Sequence, residues 1–270
     1  MSTVETVRGP VDAGELGTTL MHEHVFILQP EALQNWGHAF GPLYWDEQER
    51  LADAVAKLGA VREAGIRTIV DQTVPGLGRY IPRLQTLNAE VDLNIVVATG
   101  VYAFIELSKN AQARTGLEAL EALTSHGVKP ERIVIAHAGD SNDLAYLRAI
   151  ADKGAWLGCD RFGIEHFNPL PDRISTLLAL LGEGYGKQIH LSHDAACFYD
   201  FFVGDPAFAD EKPDYLLISN QVLPALREQG VNQAQIDEMM VDNPRRFLTG
   251  IDAAPRPEAA AGAAAVEIAR

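Results

Sequence analysis

Short apolar runs, each closing on polar residues, alternate with stretches of helical spacing along most of this 270-residue chain. TLMHEHVFI (19–27), IRTIVDQT (66–73), LNIVVATGVY (93–102), ERIVIAHAGD (131–140), AWLGCDRFG (155–163) and KQIHLSHDAA (187–196) read as strands. DEQERLADAVAKLGAVREAG (46–65), GRYIPRLQTLNAEV (78–91), TGLEALEALTSHGV (115–128), SNDLAYLRAIADKG (141–154) and DRISTLLALLGEGYG (172–186) read as helices, with Ser141 or Asn142 capping the fourth. ISNQVLPALREQGV (218–231) and NQAQIDEMMVDNPRRFL (232–248) add two more. Continuous apolar strands separated by helices imply a parallel sheet buried on both faces. The polar residues gather where the strands end: His22, His24, Asp71, His137, Asp160 and Asp194. In a (β/α)8 barrel that rim carries the active site. An open doubly wound sheet also binds ligands there, but no Gly-rich phosphate fingerprint follows the first strand. The expected fold is therefore α/β, a TIM barrel.

The formal charge of −15 argues against nucleic acid or an anionic membrane as partner. Two cysteines, Cys159 and Cys197, are too few for a disulfide framework, so a reducing cytoplasm is expected. No N-terminal stretch has the order of a signal peptide, and no apolar run reaches the roughly 20 residues of a membrane helix. Residues 1–250 are read as a single domain and the Ala-rich residues 251–270 as a disordered tail.

In a strand, residues i and i+2 point the same way, so His22 and His24 project together and Glu23 projects to the opposite face, towards the helix layer. Paired neutral imidazoles make half a site for zinc or a similar divalent ion. Spacing alone leaves the other reading open, a hydrogen-bonded core histidine beside a loop histidine. His137, ending an otherwise apolar strand, and Asp194, ending another, extend the set to three imidazoles and a carboxylate at three strand ends. Each alone also reads as a satisfied core histidine or a turn-capping aspartate. His190 and Asp194 share a face if their strand stays regular, and His193 then points away.

GTTLMHEH (17–24), VIAHAGDSNDLAYL (134–147), GCDRFG (158–163), LSHDAACF (191–198) and VDNPRRFL (241–248) together resemble the motifs of the phosphotriesterase family of metal-dependent hydrolases, in the amidohydrolase superfamily. DRFG and the tyrosine of TGVY look more like the lactonase-type and phosphotriesterase-homology branches. The resemblance implies a metal-dependent hydrolase barrel with two divalent metals, usually zinc, whose activated hydroxide attacks a lactone, ester or phosphotriester. It places His22, His24 and Asp194 on the more buried metal and His137 on the more exposed one. It makes Asp194 the general base, Arg161 a pocket arginine and Tyr102 a tyrosine reaching towards the hydroxide. Arg161 read by itself is equally a surface ion-pair residue, and Tyr102 a packing residue of the rim.

The family also implies a bridging lysine after its fourth strand and a histidine after its fifth. Here IVVATGVYAF runs straight into IELSKNAQARTGLEALEAL, so Ser108 falls at the histidine position and Lys109 reads as a solvated loop residue. Six strands are legible, not the eight of this barrel type, and the fourth and most of the fifth are read as missing. One or two metal ions, a small-molecule substrate and a homodimer covering the open edge are the corresponding expectations. The alternatives are an inactive, shortened remnant serving as a binding protein and a mononuclear amidohydrolase.

Overall fold

In the computed structural model, which describes residues 2–41, 45–100, 115–200 and 214–250, the apolar runs become two parallel sheets. Tyr102, Ser108, Lys109 and the 251–270 tail lie outside the described residues. A hairpin not read in the sequence, β1 (Thr3–Thr6) and β2 (Gly9–Asp12), comes first. The first sheet holds β3 (Thr19–Ile27), β4 (Thr68–Asp71), β5 (Asn94–Val97) and β9 (Ala196–Tyr199), in the order β5-β4-β3-β9. The second holds β6 (Val134–Ile135), β7 (Trp156–Cys159) and β8 (Ile189–Leu191), in sequence order. Every pairing within them is parallel.

The two sheets are stitched together between β8 and β9. The stretch 187–196, read as one strand, breaks at residues 192–195 because Asp194 adopts φ 56°, which no extended strand accommodates. Before the break, Ser192 N–H donates to Cys159 O on β7 (3.0 Å). After it, Asp194 N–H donates to His22 O (3.1 Å) and His24 N–H to Ala195 O (2.8 Å). One broken strand thus serves both sheets and bends them towards a barrel. At the far edge, Val7 N–H donates to Ile95 O of β5 (2.8 Å), so the hairpin covers part of that edge. Among the described residues no strand lies between β5 and β6.

Helices α1 (Pro30–Phe40), α2 (Glu47–Glu63), α3 (Ile81–Glu90), α4 (Gly116–Ser125), α5 (Leu144–Asp152) and α6 (Leu170–Gly182) form the outer layer. Their starts follow local chemistry. Asp46 caps α2 by accepting from Glu49 N–H, and Thr115 with Glu118 forms a capping box on α4. The α5 cap is Asp143, which accepts from Ala145 and Tyr146 N–H, and not Ser141 or Asn142. Leu20, Val25, Leu58, Val61, Ile69 and Ile95 are fully buried between sheet and helices. Each such side chain contributes about 1.5–3 kcal/mol by leaving water.

The last helix, α7 (Asn243–Thr249), opens on a residue that explains its motif: buried Asn243 donates from Nδ2 to Gly186 O (2.8 Å) and Ile189 O (2.7 Å). It pins the helix to the start of β8. Asn243→Leu keeps the volume but strands two buried carbonyls, so urea denaturation is expected to show a loss of about 2–5 kcal/mol. A loss below ~0.5 kcal/mol, the level of a neutral surface change, would contradict this.

Candidate metal centre

Strand β3 turns His22 and His24 to one face, as period-2 spacing requires, and both Nε2 atoms meet Asp194 Oδ1, at 3.4 and 3.1 Å. His137 arrives from the end of β6, with its ring centroid 5.1 Å from that of His22. Nitrogens of His22 and His137 and an oxygen of Asp194 lie within 4.8 Å of one another. Imidazole nitrogens and a carboxylate oxygen at that spread suit a zinc-like divalent ion. The sequence reading divided these residues between two metals, with His137 apart from His22. The geometry brings His137 together with His22 and Asp194, and His24 Nε2 reaches the same Asp194 Oδ1.

The imidazoles are held from behind. His24 Nδ1 lies 2.9 Å from Thr73 Oγ1, which turns Nε2 to the centre. Asp160, almost fully buried, holds two of the three: its Oδ2 lies 3.0 Å from His22 Nδ1, and its Oδ1 2.9 Å from His137 Nδ1. His137 N–H also donates to Asp160 Oδ1 (2.8 Å). The sequence marks Asp160 only as a polar strand-end residue. Burial alone would lower the pKa of His22, but Asp160 and Asp194 outweigh it and push it up to about 10. Burial alone would raise Asp194, yet His22 and His24 hold it well below the usual carboxylate range. The pocket is built to contain positive charge between its carboxylates.

Arg161 is half-buried and ion-paired on both sides. Its Nε donates to Asp194 Oδ2 (3.1 Å) and its Nη1 to Asp140 Oδ2 (2.9 Å). Asp140 in turn accepts from buried Arg173 (2.7 Å), so a charged chain runs from the α6 layer to Asp194. Among the described residues, His137 (φ 59°) and Asp194 (φ 56°) alone combine a side chain with positive φ. Holding such residues costs on the order of 1–3 kcal/mol each, so the surrounding bonds must over-determine them. Tyr102 lies outside the described residues.

Glu23 supplies much of that constraint and was missed as a site residue. It turns to the other face of β3, fully buried, but meets the β8–β9 corner. Its carboxylate accepts from Ser192 Oγ (2.9 Å), His193 N (3.0 Å), His193 Nδ1 (2.7 Å) and Ala195 N (2.9 Å). Ser192 Oγ itself accepts from His22 N–H (2.9 Å), and His193 Nε2 accepts from Ile218 N–H (3.0 Å). The signal was available: a carboxylate at the alternate position of an apolar strand cannot be buried without donors.

A sequence profile described as the phosphotriesterase family matches residues 2–112 and 103–248 of this chain. A phosphotriesterase homology protein of Mycobacterium tuberculosis is 34% identical over 323 residues, covering 92% of this chain and 98% of that protein. An aryldialkylphosphatase of Saccharolobus solfataricus is 27% identical over 309 residues, covering 88% and 97%. The solved structure of the phosphotriesterase from Mycobacterium tuberculosis superposes with a TM-score of 0.83 at 34% identity, covering 91% of this chain and 98% of that one.

Glu23→Gln would set an amide NH2 against the donors of the corner. Zinc affinity measured by titration calorimetry is expected to fall about 10–100-fold while circular dichroism stays native. Unchanged affinity would show that Asp194 is positioned without Glu23.

Proposed function

Because the chain belongs to the phosphotriesterase family, we propose that it is a metal-dependent hydrolase acting on a lactone, ester or phosphotriester. The observation that carries this reading is the convergence of His22, His137 and Asp194 donor atoms at the strand ends of a barrel of that family. A divalent metal there, with zinc the proposed ion, supplies Lewis-acid polarisation and a lowered water pKa. His22, His137 and Asp194 would hold it, with His24 adjoining.

The side chains have separable tasks. Asp160 fixes the tautomers and ring planes of His22 and His137. Arg161 occupies Asp194 Oδ2, leaving Oδ1 turned to the imidazoles. Asp194 accepts the proton of the attacking water as general base. Arg161, with its guanidinium 4.5 Å over the Phe167 ring, keeps that carboxylate oriented.

We further propose that a segment of the family barrel is absent and that the chain works with a single metal. In support, the profile matches in two stretches that overlap at 103–112, and the alignment to the Mycobacterium tuberculosis relative runs over 323 residues, more than this chain contains. Without a bridging anion, two cations about 4 Å apart repel with little to offset it. A cytoplasmic location is proposed from the two free cysteines; among the described residues no helix is long and apolar enough to cross a membrane.

The test is metal content by mass spectrometry beside turnover of a γ-lactone and a dialkyl aryl phosphate. Close to one divalent ion per chain, and a rate reduced at least ~100-fold in a folded Asp194→Asn variant, are expected. Protein that stays metal-free and inactive with added zinc, cobalt or manganese overturns the proposal. Bound metal without turnover favours the binding-protein alternative instead.

A further inference from the structure

Asp71, one of the polar strand-end residues, takes no part in the cluster around His22. It closes β4 and is 1% exposed. A carboxylate so deeply buried needs partners. Arginine is not among them. Arg79 and Arg83 line the same crevice, which has a volume of about 10 Å3, room for roughly one water. Arg83 is committed to Glu47 (2.7 and 3.0 Å), and Arg79 donates to Ala98 O. The ionisable ring that faces Asp71 is His24, whose Nδ1 lies 4.0 Å from Asp71 Oδ1.

Thr73 stands between the two. Glu23 of β3 is in register with Asp71, and Gln72 N–H donates to Glu23 O (2.8 Å), so the chain runs on beside β3 past the end of β4. Asp71 Oδ1 accepts from Thr73 N–H (2.9 Å), an aspartate turn of two residues. The same carboxylate also takes the Thr73 hydroxyl and the Val25 amide. Thr73 Oγ1 in turn lies 2.9 Å from His24 Nδ1.

A hydroxyl has one proton to give. Given to Asp71, it leaves Thr73 Oγ1 as an acceptor, and His24 Nδ1 becomes the donor. Nε2, 3.1 Å from Asp194 Oδ1, is then the ring atom left for a cation. We propose that Asp71 is a positioning residue: acting through Thr73, it fixes the His24 ring so that Nε2 is presented to the divalent ion of the metal centre. This rests on the proposed metal and not on turnover.

Zinc affinity of the full chain, measured by competition with a chromophoric chelator, tests this. Asp71→Asn sets an amide NH2 against one of three donors and is expected to weaken zinc about 10–100-fold. Thr73→Val should cost as much, and Thr73→Ser, which keeps the hydroxyl, should recover most of the loss. The double variant Asp71→Asn/Thr73→Val should bind no more weakly than Thr73→Val, because both changes cut one chain of bonds. Nitrogen NMR of the unaltered chain, in EDTA and in zinc, keeps the test decisive if a variant fails to fold: His24 Nδ1 should carry a proton and show N–H splitting in both. Additive losses, Thr73→Ser no better than Thr73→Val, or a bare Nδ1 would each overturn the proposal. A chain that binds no zinc overturns this proposal and the hydrolase reading together, whereas zinc bound without turnover, with the affinities as expected, overturns the hydrolase reading alone and supports this one.

Discussion

Glu23 accepts hydrogen bonds from Ser192 Oγ, the His193 and Ala195 amides and the His193 ring, and through them clamps the β8–β9 corner against β3. A carboxylate buried this deeply survives only because each oxygen meets donors. The corner it holds does two things at once. It passes the last strand from one sheet to the other, and it presents Asp194 in a backbone conformation that side chains avoid. Fold and site therefore share one anchor, placed on the same strand as His22 and His24 but on its other face.

On the site face the balance is electrostatic. Asp160 and Asp194 surround His22, and the outcome is an imidazole that holds its proton far above the usual range. The chain of Arg173, Asp140 and Arg161 keeps Asp194 from being drawn wholly into the histidine cluster, because its second oxygen is already committed. Each group is restrained by a neighbour from a different strand or loop, so the cluster depends on the closure of the barrel rather than on any local segment.

Much of this was legible in the sequence. Alternating strands and helices gave the parallel architecture, and the two-residue spacing of His22 and His24 put both on one face. The motifs GTTLMHEH and VDNPRRFL carried the family. What escaped reading was long-range. The break at residues 192–195 depends on φ at Asp194, which no periodicity reports. The partners of Asp160 come from strands far away in sequence. The hairpin at Thr3–Asp12 is too short and too polar to show as a strand pair. Asp143, rather than Ser141 or Asn142, caps its helix because only its side chain reaches two free amides of the first turn.

The central claim is that His22, His137 and Asp194 converge on a divalent cation. Anomalous diffraction from a crystal grown with zinc, collected on either side of the zinc edge, tests it directly. The account predicts a peak about 2.0–2.2 Å from a nitrogen of His22, a nitrogen of His137 and an Asp194 oxygen. A crystal with no peak there, or with His22 Nε2 still paired to Asp194 Oδ1 in the presence of zinc, would contradict it.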